Sequence, residues 1–359
     1  MKAGLYLTTQ YPPGSDMISA FQEQVALVHA ARDRGWDAVA TGQHYLSEGM
    51  VQLQLVPFLS RMAAEAGPMA GIAGVLLLAL HNPVEVAEQI ASLDVLWKGN
   101  FILGVGLGYR KEEFAAFGVP WEARIRRFEE TLALVKRLWT EDSVTAQVGA
   151  CRLEKITMTS RPVQRPHPPI WIPGSGSMET IRFVAERRYP WIALPYSQFD
   201  VMKEHFDMLR EYAASHCGYD VPPAQIGWPA MIYVGETDRK AREEFEPHFW
   251  YLARKGLRLP REYMFPPGHT SVESQLRPSH VKRKFISLLS SWQEAEEGTY
   301  AIVGSAETVR QRLREGIKAA GCGIIQGIFQ VGSMPHEMAM ASMERFARDV
   351  MPALRAEFP

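Results

Sequence analysis

The sequence predicts a closed (β/α)8 barrel, a TIM barrel, with a long insertion after the seventh strand. Three observations carry that expectation. Short apolar runs alternate with amphipathic helical stretches about eight times along the chain. Two of the runs, 70–80 and 101–107, are apolar without interruption, as parallel strands covered on both faces are, and a single capped helix joins them. Glycines collect where runs end, and in such a barrel the strand ends carry the chemistry. A doubly wound open sheet is the competing architecture.

The elements follow in order. Residues 3–7 form the first strand, and Ile18, Phe21, Val25 and Val28 stripe a helix that Gly35 stops. Residues 36–41 are the second strand and 70–80 the third. Asn82 caps the next helix, Pro83 suits its first turn, and Glu85 completes a capping box. Val86, Ile90, Leu93 and Trp97 then repeat at helical spacing up to Gly99. After the fourth strand, 101–107, comes a helix striped by Ile125, Phe128, Leu132, Val135 and Leu138, and then a hairpin over 144–158. Strands five and six are 170–172 and 191–194, separated by a helix starting near Ser177; strands seven and eight are 226–234 and 324–331. Val309, Leu313 and Ile317 stripe the helix before the last strand, and Met343, Phe346, Val350 and Leu354 stripe the final one. The whole chain, 1–359, reads as a single domain, with 236–300 as an insertion within it. A connection of that length suggests a lid, and the aromatic stretch 245–269 suits an apolar substrate.

Composition excludes several classes. The 359 residues are 47% hydrophobic and carry a net charge of -1 with no long basic run, which argues against nucleic acid or an anionic membrane surface as partner. Cys151, Cys217 and Cys322 lie far apart, so no disulfide framework or zinc site is expected. No signal-like or membrane-spanning apolar run is visible, and a cytoplasmic location is expected. No H-E-x-x-H spacing occurs, so no metal is expected.

Three places hold candidate chemistry. GVGLG, at 104–108, lacks the spacing of a dinucleotide fingerprint but lets backbone approach a ligand beside Tyr109. In PIWIPGSGSMETIRFVAE a strand runs through Gly174, Ser175, Gly176 and Ser177 into a helix, which suits a phosphate. A plain glycine turn with Ser177 as N-cap is the alternative there. His44, in TGQHYLSEG just past the second strand, is placed to exchange a proton near neutral pH, and a loop histidine that hydrogen-bonds locally is the alternative that the residues alone favour.

The ordered blocks LHNPVEVAEQIASLD, FILGVGLGYRKEEFAAFG and RPVQRPHPPIWIPGSGS, with EETLALVKRLWTED and AIVGSAETVRQRL in their expected places, resemble the bacterial luciferase-like flavin monooxygenases over nearly the whole chain. That resemblance implies reduced FMN at the strand ends, reaction with O2 to a flavin hydroperoxide, and oxygenation of a small organic substrate. It also implies a separate NAD(P)H-dependent flavin reductase, and a homodimer is expected. Residue by residue, His44 matches the family histidine that assists the flavin chemistry. Ala79 and Leu80 lie where the family often has a non-proline cis peptide beneath the flavin. Gly106, Gly108 and Tyr109 match the loop beside it, and Gly174, Ser175, Gly176 and Ser177 match the phosphate cradle. Two departures stand out: the usual Glu-His-His run is Gln43-His44-Tyr45, and Leu107 replaces the luciferase arginine, leaving Arg110 as a candidate cation. Relatives using a deazaflavin coenzyme for hydride transfer on the same barrel define the alternative, and a non-catalytic flavin-binding relative is a third reading.

Overall fold

Eight parallel strands close on themselves in the computed structural model, which describes residues 1–174, 176–257, 271 and 284–359. We number them β1 (Lys2–Leu7), β2 (Ala38–Thr41), β3 (Ala70–Leu77), β4 (Phe101–Gly106), β5 (Ile170–Gly174), β6 (Trp191–Ala193), β7 (Ile226–Val234) and β8 (Ile324–Ile328). Each pairs with the next in sequence, and closure comes from β8 against β1, with Lys2 opposite Ile324. Eight helices cover the barrel: α1 (Met17–Asp33), α2 (Leu55–Glu65), α3 (Pro83–Leu96), α4 (Arg124–Thr140), α5 (Met178–Arg187), α6 (Phe199–Cys217), α7 (Ala306–Ala320) and α8 (His336–Arg345). The open-sheet alternative is excluded by the closing pair.

Period-two alternation sorts the strand residues into two cores. On β1, Ala3, Leu5 and Leu7 face the large core between strands and helices. Tyr6 instead joins an inner cluster of Ala38, Ala40, Ile72, Trp171, Ile192 and Ile324. That cluster fills the barrel below its C-terminal mouth, and a cavity lies above it.

The helix signals act as their chemistry requires. Asn82 accepts from the Val84 amide at 2.9 Å, and α3 ends just before the positive-φ pair Lys98 and Gly99. Ser177 caps α5 and Ser305 caps α7, each through its hydroxyl.

Two differences from the sequence expectation concern strand extent. The third apolar run stops being a strand at Leu77, and Leu78–Leu80 form a buried 3-10 turn; an apolar run does not distinguish a strand from a buried turn. A short strand, Ala301–Gly304, also pairs with the outer half of the nine-residue β7, with Met231 opposite Ala301. It belongs to no barrel position, and with four residues it lacks the length to declare itself in sequence.

The insertion packs into a second core that it shares with β7, β8 and α8. Its helix Asp238–Tyr251 presents Phe245 and Phe249 to Trp292, at ring-centroid distances of 6.0 and 5.5 Å, with Tyr233 and Tyr300 alongside. Residues 258–269 of the aromatic stretch 245–269 lie outside the described residues.

Burial holds His81, His167 and His248 below the ordinary imidazole value of 6.5. The unfolded chain takes up these protons near 6.5, whereas the folded protein resists them until lower pH. The stability these residues contribute is therefore complete above about 6.5 and is lost as pH falls below it. Thermal melts from mildly alkaline to mildly acidic buffer should show a falling Tm, with a shallower fall in His81→Gln. A Tm that rises on acidification through this window contradicts the assignment.

Candidate active site

The strand ends at the barrel mouth line a largely apolar cavity of about 300 Å³. Its floor includes Ile72, Trp171 and Ile192 from the inner plug, and Tyr6, Tyr109 and Tyr196 stand around it. Burial pushes all three phenols well above their usual value, so they serve as neutral hydrogen-bonding groups. Gln326 from β8 and Thr8, Gln10 and Gln52 add neutral polar groups to the wall.

His44 reaches this wall because of what precedes it. The chain leaves β2 at Gly42, where a Cβ would sit 2.5 Å from the Tyr6 hydroxyl and 3.1 Å from the Gly74 carbonyl oxygen, so no larger residue passes unshifted. Gln43 then turns inward and is buried; its Oε1 accepts from the Leu77 amide and from His81 Nε2, both at 3.1 Å, and its Nε2 donates to the Tyr45 hydroxyl at 2.7 Å. The loop is thereby pinned to the end of β3. His44 Nδ1 faces Glu113 Oε1 at 3.0 Å, and its Nε2 faces the Tyr109 hydroxyl at 3.2 Å. Gln54 Nε2 holds the His44 carbonyl at 3.1 Å.

The structure separates the other sequence candidates. Gly106, Gly108 and Tyr109 line the cavity together with His44, and Gly174 lines it from the β5 end. Gly176, at φ +84, packs against the His205 ring, and Ser177 is fully buried with its hydroxyl on the Thr180 amide. Thr180, one turn into α5, is the residue of that segment that reaches the cavity with Gly174. Ser175 lies outside the described residues.

Ala79 and Leu80 must be corrected. Both are buried in the turn after β3, away from the cavity lining, and the Ala79 carbonyl accepts from Arg127 Nε at 2.7 Å. The non-proline cis peptide lies earlier, between Gly74 and Val75, and both of those residues line the cavity. Arg110 is likewise engaged elsewhere: its guanidinium donates to Ser47 Oγ at 2.8 Å and to the Tyr45 and Leu46 carbonyls.

Glu113, Tyr6, Trp171 and Tyr196 were not legible as site residues, because nothing local in the sequence marks them as facing a cavity. Among the described residues, no cluster of three His, Cys, Asp or Glu is placed to hold a metal, and no helix is long and apolar enough to cross a membrane.

A closed parallel barrel with an aromatic-walled cavity at its C-terminal mouth, and a histidine held there by a buried carboxylate, defines a TIM-barrel enzyme. The chain belongs to the luciferase-like monooxygenase family, whose model matches residues 1–322. Over 164 residues, 45% of this chain and 44% of the relative, it is 32% identical to an FMNH2-dependent dimethylsulfone monooxygenase from Pseudomonas putida. The fold is shared with the monooxygenase RslO1 from Streptomyces bottropensis, at TM-score 0.81 and 22% identity over 98% of this chain and 99% of that one. It is shared as well with a coenzyme F420-dependent tetrahydromethanopterin reductase from Methanopyrus kandleri, at TM-score 0.68 and 17% identity over 98% and 99% of the two chains.

Proposed function

We propose that this protein is an FMN-dependent monooxygenase that takes reduced flavin and O2 and oxygenates a small, apolar organic substrate. The observation that carries the reading is His44, fixed by Glu113 and Tyr109 on the wall of an apolar cavity at the strand ends. A flavin suits the residues present: aromatic and aliphatic walls for a flat tricyclic ring, neutral polar groups such as Gln326 for its polar edge, and glycine backbone at Gly106 and Gly108 where the ring needs close approach. Gly174 and Thr180, at the start of α5, are the groups we assign to the phosphate, supported by the positive end of the helix.

Reduced FMN, when bound, supplies the electrons that activate O2. The chain's own contribution is to exclude water with apolar walls, to orient the ring, and to hold a proton-exchanging imidazole beside the cavity. Leu257, Phe285 and Ile286 from the insertion complete one side, which supports the insertion as part of the substrate wall. Dependence of a relative on FMNH2 supports a partner reductase, drawing on NAD(P)H, as the source of reduced flavin.

The second reading, hydride transfer with a deazaflavin coenzyme, is favoured by one observation, the F420-dependent enzyme that shares this fold. Anaerobic titration separates the two. Reduced FMN is expected to bind and the reduced deazaflavin coenzyme to bind more weakly, with mass and absorbance spectra identifying what the protein retains. Retention of the deazaflavin and not of FMN would overturn the monooxygenase reading.

A further inference from the structure

The hydrogen bonds that fix His44 also bear on which of its ring nitrogens carries the proton. Glu113 lies on the short helix Lys111–Ala116, its side chain fully buried, and its Oε1 takes two bonds from a single loop: the Tyr45 amide at 2.8 Å and His44 Nδ1 at 3.0 Å. A carboxylate oxygen accepts and does not donate, so Nδ1 must bring the proton. In the neutral ring that leaves Nε2 with a lone pair, and the group facing it at 3.2 Å is the Tyr109 hydroxyl, a donor that burial keeps protonated. The edge-on approach of the two rings, with centroids 5.3 Å apart, leaves Nε2 turned toward that hydroxyl.

We propose that Glu113 is a positioning residue that locks neutral His44 as its Nδ1–H tautomer, so that Nε2 meets the Tyr109 hydroxyl as a proton acceptor. This rests on the proposed monooxygenase only for its consequence in turnover; the tautomer is a property of the protein alone. The plainer role for Glu113, fastening its helix to the 42–45 loop through the Tyr45 amide, predicts no preference between the two ring nitrogens.

Nitrogen NMR of the flavin-free, full-length protein labelled with 15N-histidine decides between them. Spectra taken at mildly alkaline pH, with His44→Ala identifying the resonances, should show a protonated Nδ1 and an unprotonated Nε2 for His44. A dominant Nε2–H form in the wild type overturns the proposal. In Glu113→Leu the population should move away from Nδ1–H, and an unchanged tautomer there also overturns it. Glu113→Gln keeps an amide oxygen for the Tyr45 amide and for Nδ1, so it should restore the wild-type tautomer; loss of the tautomer in this variant counts against the oxygen as acceptor, and the test stands even where Glu113→Leu does not fold. Because no flavin is present, a negative result leaves the flavin reading untouched, and a failed flavin titration leaves the tautomer result standing.

Discussion

The His44→Ala variant is expected to fold and to bind reduced FMN, yet to release the electrons of bound flavin to O2 as hydrogen peroxide. His44 lies at the cavity wall and not in a packed core, and Glu113 keeps its bond from the Tyr45 amide when the imidazole is gone. What disappears is the proton-exchanging group, whose loss typically costs about 10² to 10⁴-fold in rate. Stopped-flow mixing of protein-bound reduced FMN with O2 reads this directly. In the wild type, oxidised flavin should return slowly; in the variant it should return without delay, with nearly one peroxide for each flavin. Both proteins must end at one peroxide per flavin when no organic substrate is present, so the rate carries the test: an identical time course in the two proteins would remove His44 from the chemistry.

Gly176→Asp is expected to cost on the order of 10²-fold in FMN affinity, about 3 kcal/mol, comparable to losing a strong hydrogen bond to a charged group. Two causes act together. A Cβ at this position, at φ +84, would fall 2.2 Å from the His205 ring, which lies parallel to Trp191 at 6.4 Å between centroids, so the ring must shift. The new carboxylate also places negative charge at the start of α5, opposing a phosphate there. Gly176→Ala shares the steric fault and lacks the charge, so the difference between the two variants isolates electrostatics. Titrating FMN against riboflavin, which has no phosphate, tests the assignment: equal losses for both ligands would show that this segment does not serve the phosphate.

The barrel was legible because its signals are local. Apolar runs, caps at Asn82 and Ser177, and glycine stops each act over a few residues, and they recur often enough to count. His44 was legible for the same reason, since its place just past β2 is a matter of chain order. The carboxylate behind it was not. Glu113 follows His44 by 69 residues, and nothing near it in sequence marks it as buried; the placement of β2 and β4 on either side of β3, with the turn after β4, brings the two together. Misplacing the cis peptide at Ala79 and Leu80 has a related origin, because the buried turn Leu78–Leu80 extends the apolar run past the end of its strand and blurs where the mouth begins.

The point where β7 outgrows the barrel has a consequence for how such proteins diversify. The chain departs for its long excursion just after Val234 and returns at Ala301, and the two margins are stitched side by side: Val234 lies opposite Gly304, the Gly235 amide donates to the Gly304 carbonyl at 2.9 Å, and Asp238 accepts from the Ser305 amide at 2.6 Å. An excursion with its feet fastened together is a handle on the barrel. Lengthening such a handle twofold adds only about 0.6 kcal/mol of closure entropy, so its length is weakly constrained while the register of β7 stays fixed. His44, Glu113 and Tyr109 sit on the segments after β2 and β4, and the loop after β2 meets the insertion directly: a Cβ at Gly49 would fall 2.4 Å from the Lys255 carbonyl oxygen. Exchange of the segment between 235 and 304 would therefore alter the Leu257, Phe285 and Ile286 side of the cavity and, through that contact, press on the loop that carries His44.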